Sequence, residues 1–153
     1  MKDVLEAVLS LLKTNLTGYK TIEIGDPAVS PFTYPRPSIL ISPMLKDVKE
    51  GNLAEDLNQQ DYAIQLYVMS EDYPTSQDRD GILRGCELAK EVDDLLELPD
   101  NRKLGGVVDG KHLAHSIEDG YFMALNKNVF SATPRITATY YKYEERDLQP
   151  SGL

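Results

Sequence analysis

The sequence predicts an α+β domain in which an antiparallel or mixed β-sheet carries two main helices on one face. An apolar stripe with helical spacing opens the chain, a second stripe occupies its middle, and strand-like segments lie between and after them. Strands adjacent in sequence favour antiparallel pairing, which leaves both helices on the same side of the sheet. With 153 residues, we expect one domain over 1–143 and a flexible polar tail over 144–153.

The first helix is predicted from apolar residues that recur at steps of three and four. These residues are Val4, Leu5, Val8, Leu9, Leu12 and Leu16. Gly18 is well placed to end this helix. A short strand over 19–24 is expected to follow it.

Four prolines, at positions 27, 31, 35 and 37, preclude a helix or a central strand over 25–38. We expect an extended loop there and a second strand over 38–42. Residues 43–60 are rich in Lys, Asp, Glu and Asn and predict a second long irregular segment. Alternation over 61–69 predicts an inner strand of the sheet.

A long helix is predicted over 77–98, with Thr75 or Ser76 as its cap and Pro99 as its stop. Its buried stripe is expected to consist of Ile82, Cys86, Ala89, Val92, Leu95 and Leu96. Cys86 is therefore interpreted as a small buried hydrophobe. Gly81 and Gly85 are four residues apart, a spacing that lets another backbone come close to the helix.

The last third of the chain predicts β-structure. Asp109 and Gly110 indicate a hairpin turn between the segments 107–108 and 111–112. Further strands are expected over 121–125 and 129–143, and the second of these is expected to bend or break at Pro134.

Charge and cysteine content bound the function. A net charge of −9 argues against binding nucleic acid through phosphate contacts, although DNA would pass beside an acidic wall without sticking. The single cysteine excludes an internal disulfide and favours a reducing compartment. The acidic amphipathic start does not resemble a signal peptide, and no apolar run approaches a membrane span, so we expect no membrane association.

No catalytic constellation, cofactor site or metal site is predicted. His112 and His115 are expected on a strand, where a spacing of three places them on opposite faces. A small enzyme remains an alternative and would need both histidines and an acid to converge in a pocket. Nine tyrosines and no tryptophan suit either subunit interfaces or ordinary exposed rings, with Tyr on both faces of the last strand.

Taken in order, these elements resemble the tail-terminator family of tailed bacteriophages, also called minor tail or tail-completion proteins. The resemblance is architectural and spans most of the chain, without a diagnostic motif. It is carried by the opening helix, the proline-rich stretch before 38–42, the loop before 62–68, the long helix, and the closing segments 120–125 and 135–141.

The resemblance implies a homo-oligomer, expected to be a hexameric ring, that caps the tail tube, ends its polymerisation and presents a surface for head joining. Its implied partners are the major tail tube protein and a head-completion or connector protein, with DNA passing through the lumen without specific binding. The implied location is the virion tail or neck, after assembly in the host cytoplasm. Another phage neck protein or a small non-catalytic interaction module is the alternative.

No interface residue is carried over from the family. From the two long loops of this chain we select six candidate interface residues: Tyr34, Arg36, Lys46, Asp47, Lys49 and Glu50.

Overall fold

A computed structural model describes residues 1–27, 34–50, 57–113, 116–118, 122–126 and 128–145. The helices are α1 (Lys2–Asn15) and α2 (Asp78–Glu97), and short 3₁₀ turns cover Thr75–Gln77, Pro99–Asn101 and Leu104–Gly106. The strands are β1 (Thr21–Ile24), β2 (Ser38–Glu50), β3 (Leu57–Met69), β4 (Tyr73–Pro74), β5 (Gly110–Lys111), β6 (Ser116–Glu118), β7 (Phe122–Asn126), β8 (Val129–Ala132) and β9 (Arg135–Glu145).

The main sheet is mixed and confirms the predicted fold class. Its order is β1-β2-β3-β9-β5, and β6 also pairs with β9. β1 runs parallel to β2, whereas β2, β3, β9, β5 and β6 pair antiparallel. β4, β8 and β7 form a second, three-stranded sheet that the sequence did not predict.

The predicted break at Pro134 explains why the second sheet exists. The Val68 amide donates to the Pro134 carbonyl and the Ser70 amide to the Ala132 carbonyl, both at 2.9 Å. The chain thus still follows the end of β3 across the break. Because proline lacks an amide hydrogen, the ladder is interrupted, and β8 turns away to pair with β4 and β7.

Both helices pack on one face of the main sheet, as predicted. Alternate residues of β2, β3 and β9 supply the sheet side of the core. The fully buried ones are Ile39, Ile41, Ile64, Leu66, Val68, Ile136 and Tyr140. α1 covers them with Val4, Leu5, Val8 and Leu12, and α2 with Leu88, Val92 and Leu96.

The buried stripe of α2 differs from the predicted one. Gly81, Gly85 and Leu88 are buried, whereas Cys86 is exposed. A Cβ on Gly81 would lie 2.8 Å from the Phe130 ring, and one on Gly85 would lie 2.7 Å from the Ala132 Cβ. The two glycines therefore let α2 approach β8 closely, and Cys86, the residue after Gly85, faces outward.

The prediction of an irregular segment over 43–60 is wrong for 43–50 and 57–60. β2 continues to Glu50 and β3 begins at Leu57, and the two strands pair from Ser38↔Met69 to Glu50↔Asn58. The polar composition concealed this extension, because a strand held mainly by ladder hydrogen bonds needs no apolar alternation. Residues 51–56 lie outside the described part of the chain.

The prediction of a hairpin turn at Asp109–Gly110 is also wrong. Residues 107 and 108 lie in a turn after the last 3₁₀ segment, and β5 pairs with β9. The Asp109 carboxylate accepts a hydrogen bond from the Tyr143 amide at 2.7 Å. The Asp-Gly pair thus joins β5 to β9 across a long sequence separation.

Several boundaries move by one to three residues. β1 begins at Thr21, and α1 ends at Asn15 with extended backbone at Leu16, before Gly18 adopts a positive φ of 88°. α2 begins at Asp78 without a side-chain cap from Gln77. β9 includes Glu144 and Glu145, which were expected in the tail, and residues 146–153 lie outside the described part.

Candidate interaction surface

The distal half of β2 is exposed along six consecutive residues, 43–48. Met44, Leu45 and Val48 leave 55%, 58% and 54% of their surface in solvent. Exposed apolar side chains on neighbouring strand positions mark contact surfaces more often than isolated ones do. Residues 43–48, here named the β2 segment, are therefore the candidate interaction surface.

The outer edge of the β2 segment has no partner strand among the described residues. β1 pairs with β2 only from Ser38 to Ile41, and the Gly25 amide then donates to the Ile41 carbonyl at 3.0 Å. A register shift between Pro43 and Leu45 bends the strand just beyond this point. Unpaired edge amides and carbonyls can accept another strand.

The inner edge of the same segment is firmly held. Lys46 stands opposite Tyr62 on β3, with its ammonium 5.5 Å from the ring centroid. The Tyr62 hydroxyl donates to Gln60 Oε1 and Gln60 Nε2 donates to Glu144 Oε2, both at 2.5 Å. Burial, followed by the charges of Glu144 and Asp3, raises the pKa of Tyr62. This series of side-chain hydrogen bonds links β3 to β9, and β3 in turn pairs with the β2 segment.

The six predicted interface residues fall into two separate groups. Lys46, Asp47, Lys49 and Glu50 occupy the distal half of β2, with the backbone of Lys49 and Glu50 opposite Gln59 and Asn58. Tyr34 and Arg36 precede the other end of β2. Ten residues separate Arg36 from Lys46, about 33 Å at the rise of a strand, so the two groups do not form one surface.

Arg36 binds within its own chain. Its Nε donates to Asp72 Oδ1 at 2.6 Å and its Nη2 to Asp72 Oδ2 at 3.0 Å. Tyr34 is half-buried, with its hydroxyl against Gly25. These contacts give both residues a role in holding the proline-rich segment to the fold.

The sequence did not single out Met44, Leu45 and Val48. The signal was present, since an apolar pair directly follows a buried strand and an isolated valine stands among four charges. It was missed because the segment was interpreted as a loop, in which single apolar residues need no explanation.

The residues considered for chemistry are dispersed. His112 Nε2 lies 2.9 Å from Asp61 Oδ1, to which Gln59 Nε2 also donates at 3.0 Å, and the His112 ring packs against Tyr141. His115 lies outside the described residues. Within the described part of the chain, no group of three His, Cys, Asp or Glu could hold a metal ion.

A cleft of about 330 Å³ lies between α1 and the turns that follow α2. Its lining consists of Ala7, Ser10, Leu11, Asp100, Asn101, Leu104 and Gly105. Its lining includes one carboxylate, on Asp100, one hydroxyl, on Ser10, and no histidine or cysteine. Among the described helices, none is long and apolar enough to span a membrane.

Comparison of the chain with protein-family models gave no match, and comparison with curated proteins gave none either. The fold and the β2 segment therefore carry the functional argument.

Proposed function

We propose that this protein is a structural subunit of a tailed-phage virion that forms a ring, expected to be hexameric, at the end of the tail tube. The ring ends tube polymerisation and presents the surface for head joining. Its partners are further copies of the chain, the major tail tube protein and a head-completion or connector protein. It is placed in the tail or neck of the virion and assembles in the host cytoplasm.

The β2 segment is the single observation that carries this proposal. An edge strand that has no partner strand within the described part of the chain and carries three exposed apolar side chains is a liability in an isolated monomer. Burying it against a neighbouring subunit removes that liability. A ring closes by repeating one such contact between different surfaces of adjacent copies.

The order of elements gives further support. The opening helix, the long helix and the closing β-region occur in the order on which the resemblance to tail terminators is based, whereas most of the loop expected before 62–68 belongs to β2 and β3. The net charge of −9 suits a ring through which DNA slides without being held.

A second candidate function is a different neck or connector protein, or a small non-catalytic interaction module. The same β2 segment supports it, because strand addition at an open edge also binds extended peptides. The partner distinguishes the two candidates: a terminator caps the tail tube, whereas other neck proteins bind to the head side.

The test combines light scattering with electron microscopy. The purified chain is examined alone and after mixing with tubes of the tail tube protein encoded in the same genome. We expect rings at tube ends and tubes that stop growing when the chain is added. Tubes that elongate at an unchanged rate and carry bare ends would refute the terminator function.

A matched pair of variants links the result to the β2 segment. Leu45→Glu places a charge in the exposed strand, and Leu83→Glu places the same charge at an exposed position of α2. We expect Leu45→Glu to abolish capping and Leu83→Glu to retain it. Equal loss in both variants would show that the strand is not the specific contact.

A DNA-binding measurement tests the proposed passive lumen. The ring should give no shift of double-stranded DNA in a gel at physiological salt, because the chain carries 25 acidic and 16 basic residues. A shift that weakens with added salt would contradict this part of the proposal.

A further inference from the structure

We propose that the free subunit forms a two-fold dimer by antiparallel pairing of β2 with β2 of a second copy, with the axis at Val48. This inference goes beyond the ring and does not depend on it. The dimer would cover the outer edge of β2 before any ring is built. A subunit cannot use this edge for the dimer and for a ring contact at the same time.

The backbone of β3 determines which residues of β2 bond outward. Val68 donates to Pro134 on the β9 side, so the even-numbered residues of β3 bond toward β9 and the odd-numbered ones toward β2. Ala63, Asp61 and Gln59 therefore bond to their partners, which are Leu45, Asp47 and Lys49. The backbone groups of the alternate residues Lys46, Val48 and Glu50 consequently face the outer edge.

Pairing geometry restricts the axis. In an antiparallel pair, two opposed residues either both bond to the partner strand or neither does. A two-fold axis that passed between two residues would set an outward-bonding residue opposite an inward-bonding one. The axis between two identical strands must therefore pass through a residue, and that residue then stands opposite its own copy. An axis at Met44 or Leu45 would bring Pro43 and the register shift into the ladder, where proline cannot donate.

Charge then selects a single position. An axis at Lys46, Asp47, Lys49 or Glu50 would set a like charge directly opposite its own copy, which is destabilising. An axis at Val48 sets valine opposite valine. It also places Asp47 opposite Lys49 and Lys46 opposite Glu50, and each of these opposite-charge pairs occurs twice by symmetry.

The occupant is therefore a second copy of the chain. The order of charges in 46–50 is complementary to itself when reversed about Val48, and an unrelated peptide would have no reason to match it. Val48 is exposed by more than half, so the axis position is open to a partner.

The test is sedimentation velocity over a series of concentrations, with circular dichroism to confirm folding. We expect a reversible dimer of the wild-type chain. Asp47→Lys and Lys49→Asp each convert two opposite-charge pairs into like-charge pairs and should raise the dimer Kd about tenfold. The double variant carrying both changes restores the pairs and should return to within about threefold of the wild-type Kd.

Lys20→Glu is the control, because it changes the net charge by as much as Lys49→Asp at an exposed position outside the β2 segment. Its Kd should stay at the wild-type value. A chain that remains monomeric at all concentrations would overturn the proposal, as would a dimer indifferent to both single reversals or not restored in the double variant. Capping of tail tubes is scored separately, so a failed dimer leaves the ring proposal intact.

Discussion

Arg36 and Asp72 form a bidentate ion pair that joins the proline-rich segment to the connection between β3 and β4. The two hydrogen bonds measure 2.6 and 3.0 Å, and only 11% of the arginine side chain is exposed. A planar guanidinium matches a carboxylate in a way that an ammonium group cannot. The ion pair thus stabilises the position of the segment that leads into β2.

Arg36→Lys is expected to lower the free energy of unfolding by about 1–2 kcal/mol, because lysine keeps the charge but loses the paired geometry. Urea denaturation followed by circular dichroism measures this. The exposed pair Lys90–Asp94 on α2 is the comparison, and Lys90→Met should change stability much less than Arg36→Lys does. An equal effect of both substitutions would remove the special role of Arg36.

Gly85→Ala is expected to destabilise the protein by about 1 kcal/mol or more. Alanine favours a helix by about 1 kcal/mol, but overpacking typically costs about 1–3 kcal/mol. The added methyl would lie 2.7 Å from the Ala132 Cβ, which is fixed on β8 and cannot rotate away.

A double-variant cycle checks that explanation. Adding Ala132→Gly should recover part of the stability lost by Gly85→Ala, since the two substitutions exchange a methyl across one contact. If the two changes in unfolding free energy simply add, the helix and β8 are not in the close contact described.

Tyr140→Phe is expected to leave stability unchanged or raise it by up to about 1 kcal/mol at neutral pH. The Tyr140 hydroxyl is buried and has no hydrogen-bond partner among the residues that the structure describes, and removing such a group relieves a desolvation penalty. Tyr141→Phe, at the next position and on the opposite, half-exposed face, controls for the loss of one hydroxyl from β9. A loss of more than about 1 kcal/mol in Tyr140→Phe would reveal a partner for that hydroxyl.

The same residue gives an alkaline pH dependence. Burial, followed by the charge of Glu97, raises the pKa of Tyr140 well above its ordinary value of 10.0. Its contribution to stability is complete below pH 10 and falls above it, by about 1.4 kcal/mol per pH unit, because only the unfolded chain ionises there. Thermal melts above pH 10 should show a shallower loss in Tyr140→Phe than in the wild type.

Cys86 is expected to react with a maleimide in the native protein at a rate within about tenfold of the rate in denaturant. Its exposure on α2 leaves the thiol accessible, so no unfolding step precedes the reaction. Mass spectrometry of quenched samples measures the labelled fraction, with Cys86→Ser as the unlabelled control. Labelling that appears only in denaturant would show that the Cys86 thiol is buried in the native protein.

The candidate interface residues predicted from the sequence differ from the exposed apolar surface found in the structure. The sequence predicts Lys46, Asp47, Lys49 and Glu50 on a loop, but they belong to strand β2. It predicts a partner contact for Arg36, whose guanidinium binds Asp72 of the same chain. The apolar residues Met44, Leu45 and Val48 are exposed on this strand, and the sequence did not single them out because apolar residues in a predicted loop need no explanation.

Local patterns were enough to predict the α+β class, both helices, the inner strand and the break at Pro134, because apolar periodicity and proline act within a few neighbouring residues. They were not enough to predict three features of the folded chain: the length of the β2–β3 pair, the second sheet and the outward orientation of Cys86. These depend on backbone bonds and close contacts between distant segments, such as Gly85 against Ala132, and no local pattern specifies them.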